Sequence, residues 1–425
     1  MCRPSQFFRY LLLLLGLFFS SNLDAFVMEV PSSVFPELAD QPITSIRVYA
    51  ADAQGKPKPI PFQIDEQVFD RKLNKTVWAV TSGVEAQWGD GKFNGEDALL
   101  WLDSDAGGKL SASSLSKAKI KLEVLSDPKS SRYVYITVED SPAELSKVSY
   151  VNYNSSQDEV STSYYQAGFS KANPIIQNKL VILNQSLKAN ILDRFKVRIK
   201  LGIKNFFDFK IDEDKVSAKL VGYSAGPIRV IRRITAYKDI GPIRVVPKSQ
   251  TDFIFYPDWI EVPTKIKNPI DGPSVLNDQT QGASGFDLMK SVYGSKLYLS
   301  TGTTLANLDG RLSPEEEGAK TGVRWWSLSG PQGAMLVEIK NDAQLARNGI
   351  APTMVLHDDA ATPSPPESEL GGVFVGFDLP YQKIPKGDFT ILVKQVFMNR
   401  FAHGSEENYL NNSKIRRSVN VKALP

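Results

Sequence analysis

The chain has 425 residues, a formal net charge of +3 and one cysteine. Charge this close to balance excludes the strongly basic composition of nucleic-acid-binding proteins, so no nucleic acid partner is expected. Beyond residue 25, no stretch approaches the ~18 consecutive apolar residues of a membrane-spanning helix, so no transmembrane segment is expected in the mature chain.

Residues 1–25 predict a signal peptide. Arg3 and Arg9 flank the start of an apolar core at Leu11–Phe19, and Ala25 offers a cleavage site. A retained anchor is the alternative, which the short core disfavours. The only cysteine, Cys2, lies in this segment, so the mature chain can form no disulfide. A large cysteine-free exported protein suits an oxidising compartment, and we expect a periplasmic or secreted location.

Apolar residues alternate with polar ones along much of the mature chain, which is typical of β-strands with one buried face. An early hairpin is predicted to pair Ile43–Ala50 with Ile60–Ile64. A second is predicted to pair Lys119–Leu125 with Arg132–Val138 across the turn sequence SDPKSS. The clearest alternation is at Phe195–Ile203.

Further strands are predicted in both halves of the chain, with few helices. The strand-like runs are Val148–Tyr153, Ser161–Phe169, Leu180–Leu183, Ser217–Tyr223, Ile228–Ala236, Thr251–Tyr256, Lys296–Ser300, Val323–Ser327, Ala334–Ile339, Val373–Phe377 and Asp388–Val396. GPIRVI at Gly226–Ile231 recurs as GPIRVV at Gly241–Val246, which suits one hairpin whose strands start alike. Short helices are predicted at Ser313–Lys320 and Asp342–Asn348.

Many strands joined by Gly and Pro turns predict an all-β chain with an antiparallel β-sandwich architecture. We expect an N-terminal β module with acidic Gly/Asp loops over residues 26–155, followed by a larger sandwich over residues 156–425. The boundary is placed in the polar run Asn152–Glu159.

The stretch WGDGKFNGEDALLWLDSDAGG at Trp88–Gly108 is rich in oxygen donors and glycine, a combination that suits Ca²⁺. The candidate metal ligands are Asp90, Asn94, Glu96, Asp103 and Asp105. Lys92 and Trp101 stand where an EF-hand loop needs oxygen ligands, so this is not an EF-hand. Plain turns are the alternative, because Asn-Gly and Asp-Gly favour tight turns without a metal. Apart from Ca²⁺, no cofactor is expected.

Two basic rows and a set of tryptophans suggest a glycan site. Arg194, Lys196, Arg198 and Lys200 share one strand face, and Arg229, Arg232, Arg233 and Arg244 lie near the two GPIR segments. Guanidinium groups bind carboxylates through paired hydrogen bonds, and tryptophans can stack on sugar rings. The predicted ligand-binding residues are Arg198, Arg229, Arg232, Trp259 and Trp325. The alternatives are a solvated outer sheet face for the cations and core packing for the tryptophans, including Trp326.

The two histidines allow a catalytic alternative. His403 lies near Arg400 and Tyr409 in NRFAHGSEENY, which holds the neutraliser and the base–acid pair that a polysaccharide lyase needs. His357 precedes Asp358 and Asp359, which together could hold a divalent metal. An ordinary polar loop is the alternative for both segments.

Three segments also carry a resemblance. IPFQIDE at Ile60–Glu66 and NGEDALLWLDSDAG at Asn94–Gly107 resemble the opening of uncharacterised exported bacterial all-β proteins. The GPIRVIRR strand is similar to strands of galactose-mutarotase-like and polysaccharide-lyase-type sandwiches. The resemblance implies a sugar-related fold and assigns no catalytic residue, because fold alone does not fix function.

Three functions follow as hypotheses. The first is an exported protein that binds carbohydrate, with an anionic polysaccharide or envelope glycan as its partner. The second is a polysaccharide lyase or another carbohydrate-active enzyme. The third is a non-catalytic envelope assembly or scaffold protein.

Overall fold

A computed structural model describes residues 26–71, 74–115, 118–127, 131–140, 144–183, 188–205, 208–240, 243–302, 304–317, 320–361, 372–399, 403–413 and 415–425. The predicted signal peptide and Arg400 lie outside these residues, as does part of the long loop after Asp359.

Strands dominate the structure. Numbered in chain order, they are β1 (Val27–Pro31), β2 (Gln41–Pro42), β3 (Ile46–Ala51), β4 (Pro57–Pro59), β5 (Gln63–Asp65), β6 (Gln67–Asp70), β7 (Lys75–Trp78), β8 (Lys92–Phe93), β9 (Ala98–Leu102), β10 (Ile120–Asp127), β11 (Arg132–Val138), β12 (Asn152–Asn154), β13 (Glu159–Ser161), β14 (Tyr165–Phe169), β15 (Gln177–Ile182), β16 (Leu192–Gly202), β17 (Asp208–Asp212), β18 (Ser217–Ala225), β19 (Val230–Ile240), β20 (Ile243–Phe255), β21 (Trp259–Asn268), β22 (Gln281–Leu288), β23 (Lys296–Leu299), β24 (Thr304–Asn307), β25 (Trp325–Gly330), β26 (Gly333–Lys340), β27 (Thr353–Asp358), β28 (Val373–Asp378), β29 (Gly387–Met398) and β30 (Asn420–Ala423).

Helices are short. The α-helices are α1 (Gly272–Val275), α2 (Ala343–Arg347) and α3 (Glu406–Asn412). Single 3-10 turns occur at Ser32–Val34, Pro36–Leu38, Ile43–Ser45, Asp103–Asp105, Ala112–Leu115, Glu213–Lys215, Lys290–Val292 and Tyr381–Lys383. None of the helices in the described residues has the length and hydropathy needed to cross a membrane.

The largest sheet has nine strands in the order β18-β19-β20-β21-β29-β26-β25-β23-β24. A five-stranded sheet, β17-β16-β22-β28-β27, packs on one of its faces. Adjacent strands in both sheets run antiparallel. The largest apolar cluster lies between the two sheets and extends onto the four-stranded sheet β12-β13-β14-β15. This layered antiparallel arrangement confirms the all-β sandwich prediction.

The N-terminal residues add two layers on the other face of the nine-stranded sheet. The central strand β9 of the small sheet β1-β9-β5 is apolar and buried at every position. Ala98, Leu100 and Leu102 pack toward the nine-stranded sheet, while Leu99 and Trp101 pack toward the sheet β30-β10-β11-β3-β4. Side chains point alternately to the two faces of a strand, so β9 needs apolar residues throughout.

The two predicted hairpins have different outcomes. β10 and β11 pair as predicted, with Leu122 opposite Ile136. The early hairpin is wrong in its second strand, because β3 pairs with β4 at Pro57–Pro59. Gln63–Asp65 instead pairs with β9, which supplies a more buried partner.

Other predicted elements are also adjusted. Ser161–Phe169 is two strands, because the Thr162 hydroxyl accepts the N–H groups of Tyr164 and Tyr165 (both 3.0 Å) and forms a turn. The described part of Ser313–Lys320 is a turn, in which the buried Glu316 carboxylate accepts the Ser313 N–H. The predicted turn of helix at Asp342–Asn348 is present as α2.

The C-terminal strand returns to the N-terminal part of the chain. β30 pairs with β10, and Leu122 lies opposite Ala423. Residues after 155 therefore complete a sheet that is otherwise built before residue 155. The division at residues 155 and 156 stays a prediction.

Candidate functional site

One face of the nine-stranded sheet is half covered and half open. Ile231, Ile254 and Trp259 lie beneath the N-terminal layers in an apolar cluster. Alternation along the same strands places polar side chains on this face where that cover ends. The polar set is Lys219 on β18, Thr235 and Tyr237 on β19, Lys248 and Gln250 on β20, Lys265 and Lys267 on β21, and Asp388 on β29.

These side chains form the floor of a cleft of about 350 Å³, here called the lysine cleft. Its opposite wall is formed by Asp70, Lys75, Glu85 and Gln87, from the β6–β7 hairpin and the segment that follows it. Clefts of this size are typical ligand sites when polar groups converge on them.

The wall is fixed to the sheet by backbone hydrogen bonds. Ser82 and Tyr223 exchange two of them, at 3.0 and 2.8 Å, and the Glu85 N–H donates to the Val221 carbonyl at 3.0 Å. Gly222 allows this approach, because a Cβ there would lie 2.4 Å from the Ser82 carbonyl oxygen. The wall therefore keeps a set distance from the floor.

A buried polar chain also joins the wall to the floor. Arg233 donates two hydrogen bonds to the Asp252 carboxylate, at 2.7 and 2.8 Å. It also donates to Gln87 Oε1 at 3.2 Å, and Gln87 Nε2 donates to Asp70 Oδ2 at 3.2 Å. The Arg233 charge is neutralised by its buried partner, so the exposed lysines set the charge of the cleft.

Those lysines are unevenly neutralised. Lys219 forms an ion pair with Glu85 at 2.6 Å. Lys248 and Lys267 lie directly opposite each other on neighbouring strands and are both exposed. Like charges in this position destabilise a sheet. Within the described residues, neither of these two lysines forms an ion pair with a carboxylate.

Lys265 reinforces the positive potential from a less exposed position. Burial lowers the pKa of its ammonium group, and the positive charges of Arg233 and Lys75 lower it further, while Asp252 and Asp70 raise it. A bound anion would offset both the burial and the repulsion. An anion bound at the cleft floor would therefore stabilise the charged form of Lys265.

Hydrogen-bond acceptors and aromatic rings accompany the lysines. Asp70, Glu85 and Asp388 line the cleft with carboxylate groups, and Tyr237 is an exposed ring on the cleft floor. Trp88, next in the chain to Gln87, has 70% of its surface exposed. Aromatic rings of this kind combine an apolar surface with a polar edge.

The predicted basic row around GPIRVIRR is not on the surface. Arg229 is buried and donates to Asp65 at 2.6 Å, to Glu29 and to the Tyr256 hydroxyl. Arg232 is buried and forms two hydrogen bonds to Asp158, at 2.8 and 2.6 Å. Buried charges require such partners, so both guanidinium groups are engaged inside the protein. The side chain of Arg244 lies outside the described residues.

The row on β16 is neutralised by acidic residues. Arg198 and Arg194 both contact the buried Glu213. Lys196 is fully buried and pairs with Asp287 at 2.7 Å. The expectation of a free, solvent-facing basic stripe is therefore wrong for this strand.

The predicted platform tryptophans lie together in the interior. Trp259 is fully buried and stacks on Tyr256, with ring centroids 4.5 Å apart. Trp325 belongs to the same apolar cluster and donates its indole N–H to Glu407 at 2.7 Å. Tyr409 on α3 packs against this cluster. These three residues are brought together by packing, away from the lysine cleft.

His403, the predicted catalytic histidine, contacts Glu406 and Tyr298. Its Nδ1 lies 3.0 Å from Glu406 Oε1, and its ring stacks on Tyr298 with centroids 4.1 Å apart. It does not line the lysine cleft. Its predicted partner Arg400 lies outside the described residues, so the lyase assignment stays a prediction.

His357 and its neighbouring aspartates lie at the end of β27. Asp358 is fully buried and accepts the N–H groups of Asp309 and Gly310, both at 2.9 Å. Burial raises the pKa of Asp358 to about 6, against the lowering effect of these two hydrogen bonds.

The acidic loops use their oxygens to shape turns. Asp90 accepts from the Lys92 N–H at 2.9 Å and from Asn94 Nδ2 at 3.0 Å. Glu96 is exposed. Within the described residues, no group of three or more His, Cys, Asp or Glu side chains is placed to hold a metal ion.

The second loop is tied to its surroundings in the same way. Asp103 accepts the Phe26 N–H at 2.7 Å, and Asp105 accepts the Tyr150 hydroxyl at 2.7 Å. A Ca²⁺ ion bound by Asp90, Asn94, Glu96, Asp103 and Asp105 stays a prediction.

Comparison with known proteins gives only distant structural matches. No family model matches the chain, and no curated protein matches it. An alpha-mannosidase from Enterococcus faecalis is 10% identical with a TM-score of 0.47, over 94% of this chain and 44% of that one. A glycosyl hydrolase family 38 protein from the same species gives 10% identity and a TM-score of 0.47, over 94% and 46%. A protein from Synechocystis sp. PCC 6803 gives 10% identity and a TM-score of 0.33, over 59% and 96%.

This chain spans less than half the length of either enterococcal protein. At such low similarity these neighbours carry no argument about activity, and the function has to be argued from the cleft itself.

Proposed function

We propose that the lysine cleft binds an anionic polysaccharide, such as a uronate-containing glycan of the bacterial envelope. The observation that carries the proposal is the opposed pair Lys248 and Lys267 on an open sheet face. Their mutual repulsion is a cost to the free protein, which Asp388, directly opposite Lys267 on its other neighbouring strand, offsets in part. A carboxylate between them would replace that repulsion with two charge-assisted hydrogen bonds.

The mixture of groups favours a saccharide over a simple anion. Asp70, Glu85 and Asp388 in the same cleft would repel doubly charged phosphate or sulfate more strongly than a singly charged uronate. These carboxylates can also accept hydrogen bonds from sugar hydroxyls, which a simple anion lacks. A nucleic acid carries one charge per ~1.7 Å of duplex and would meet the same repulsion. Exposed Tyr237 on the cleft floor offers a surface for the apolar face of a sugar ring.

The proposed location is the periplasm or the exterior. Arg3, Arg9 and the apolar core Leu11–Phe19 support export. A cysteine-free mature chain fits that environment. An envelope glycan would then be the accessible polyanion.

Calorimetric titration with a uronate oligosaccharide and with a neutral oligosaccharide of matched length tests the proposal. We expect the anionic ligand to bind and to weaken as salt is raised, because the lysines are exposed. The double variant Lys248→Gln/Lys267→Gln should bind at least about tenfold more weakly.

The matched control is Lys56→Gln/Lys290→Gln, which removes the same charge from exposed sites away from the cleft. It should bind like the wild type. Folded wild-type protein that binds no anionic saccharide would overturn the proposal. Ultraviolet-absorbing unsaturated products in the same mixtures would instead support the lyase alternative with His403, Tyr409 and Arg400.

A further inference from the structure

The nine-stranded sheet has a second cavity behind the lysine cleft, on its opposite face. This cavity of about 280 Å³ lies between the nine-stranded sheet and the sheet that contains β16. Ser249, Ile266 and Phe389 border both spaces, because the sheet between them is one layer thick. The two sites are therefore adjacent but chemically separate.

The lining of this cavity is apolar. From the nine-stranded sheet come Ile266, Ile391 and Val393, and from the facing sheet come Phe195, Val197 and Ile199. No described lining residue carries a charge. The polar side chains among them are neutral and already hydrogen-bonded within the protein. Thr264 bonds with Thr251 at 3.1 Å, and Ser249 donates to the Ala236 carbonyl at 3.5 Å. The Tyr381 hydroxyl bonds with Ser284, and Asn268 donates to the Pro385 carbonyl at 2.9 Å.

The side chains at this position are not closely packed. Phe195 and Val197 on one sheet, and Ile266 and Val393 on the other, retain partial exposure although they lie between two sheets. Protein interiors are normally packed as densely as organic crystals. Apolar cavities exclude water and take up apolar molecules instead. The space is thus suited to an apolar occupant.

We infer that this cavity binds the aliphatic chain of a lipid or fatty acyl compound. Packed sheets lie about 10 Å apart, which leaves room for a single extended chain and not for a strand or a helix of a partner. The uncharged lining requires that any charged head group remain outside, because a buried charge without a partner is costly.

Displacement of cis-parinaric acid, a fluorescent fatty acid, from the full-length protein tests the inference. Wild-type protein should bind this probe and release it to decanoic acid and to decanol. Since the lining carries no cation, decanol should compete at least as well as decanoic acid. Probe binding that only decanoic acid displaces would contradict a chain-specific cavity.

Variants that fill the cavity locate the site. Val197→Trp should weaken probe binding at least tenfold, whereas Val84→Trp, at a side chain that is 75% exposed, should leave it unchanged. If Val197→Trp fails to fold, as circular dichroism would show, Val393→Phe takes its place. Wild-type affinity in a folded cavity variant, or no probe binding by the wild type, overturns the inference.

The lysine cleft provides the independent control. Lys248→Gln/Lys267→Gln should bind the probe normally, and the cavity variants should still bind the uronate oligosaccharide. A protein that binds the fatty-acid probe but no glycan would therefore contradict the glycan proposal and not the inference about the apolar cavity. Native mass spectrometry of the protein purified from its host then distinguishes a free fatty acid from a glycolipid by the mass that is retained.

Discussion

Arg229 shows most clearly what a buried charge does in this protein. Its guanidinium group lies among Glu29, Asp65 and Tyr256 and links the segment just before β19 to β1 and β5. The sequence indicated a cation suited to carboxylates, and carboxylates are its partners. Those carboxylates belong to the same chain, however, and lie far from Arg229 in sequence, so the pattern could not distinguish them from a ligand.

Arg229→Met should reduce the free energy of unfolding by roughly 3–5 kcal/mol, because it leaves the buried Asp65 without its cation and Glu29 with only the exposed Arg417. Urea denaturation measures this loss. Arg417 also contacts Glu29 but is 66% exposed, so Arg417→Met should cost less than about 1 kcal/mol. Equal losses in the two variants would refute this role for Arg229.

Asp358 should make stability depend on pH. Burial raises its pKa to about 6, above the value near 3.9 of an unfolded chain. Between these values the folded state binds more protons, so this group makes the protein less stable as pH rises from about 4 to about 6. Asp358→Asn should flatten that part of the profile by at most about 3 kcal/mol. Chemical denaturation across this range would show an unchanged slope if the assignment is incorrect.

At the scale of elements, alternation predicted which segments are strands but not what covers them. β16 has the expected alternation, yet its basic side chains face Glu213 and Asp287 instead of solvent. The informative pairs elsewhere are equally non-local. β5 pairs with β9 and β30 with β10, and neither pairing leaves a signal in local sequence.

The lysine cleft was missed for a related reason. Lys265 and Lys267 alternate with Thr264 and Ile266 in the sequence, which indicates one polar strand face. That they meet Lys248 depends on the register of β20 and β21. A search for alternating lysines would have found β21 but not the cleft.

The acidic loops before and after β9 offer a test at the same scale. Asp90, Asp103 and Asp105 each accept a hydrogen bond from a protein donor, so we expect a chelator to leave the melting temperature unchanged. A bound Ca²⁺ at 100 times its dissociation constant would instead contribute about 2.7 kcal/mol. A lower melting temperature in chelator would establish the calcium interpretation.

At the scale of the molecule, four layers of sheet give the nine-stranded sheet two different faces. The N-terminal layers cover half of one face, and lysines line its uncovered half. The other face borders the apolar cavity. The alternation of apolar and polar residues, with Gly and Pro turns between the strands, predicted an all-β sandwich correctly. That the two faces of one sheet differ, one lined by lysines and the other by an apolar cavity, follows from how all the layers pack. The sequence does not reveal that packing.

The most direct measurement is acetylation footprinting of the full-length protein, read by mass spectrometry, with and without a saturating uronate oligosaccharide. Ligand in the cleft should protect Lys248, Lys265 and Lys267 from acetylation, while Lys56 and Lys290 react equally in both samples. A bound oligosaccharide that leaves the three cleft lysines as reactive as before, or protects only lysines elsewhere, would contradict the central claim.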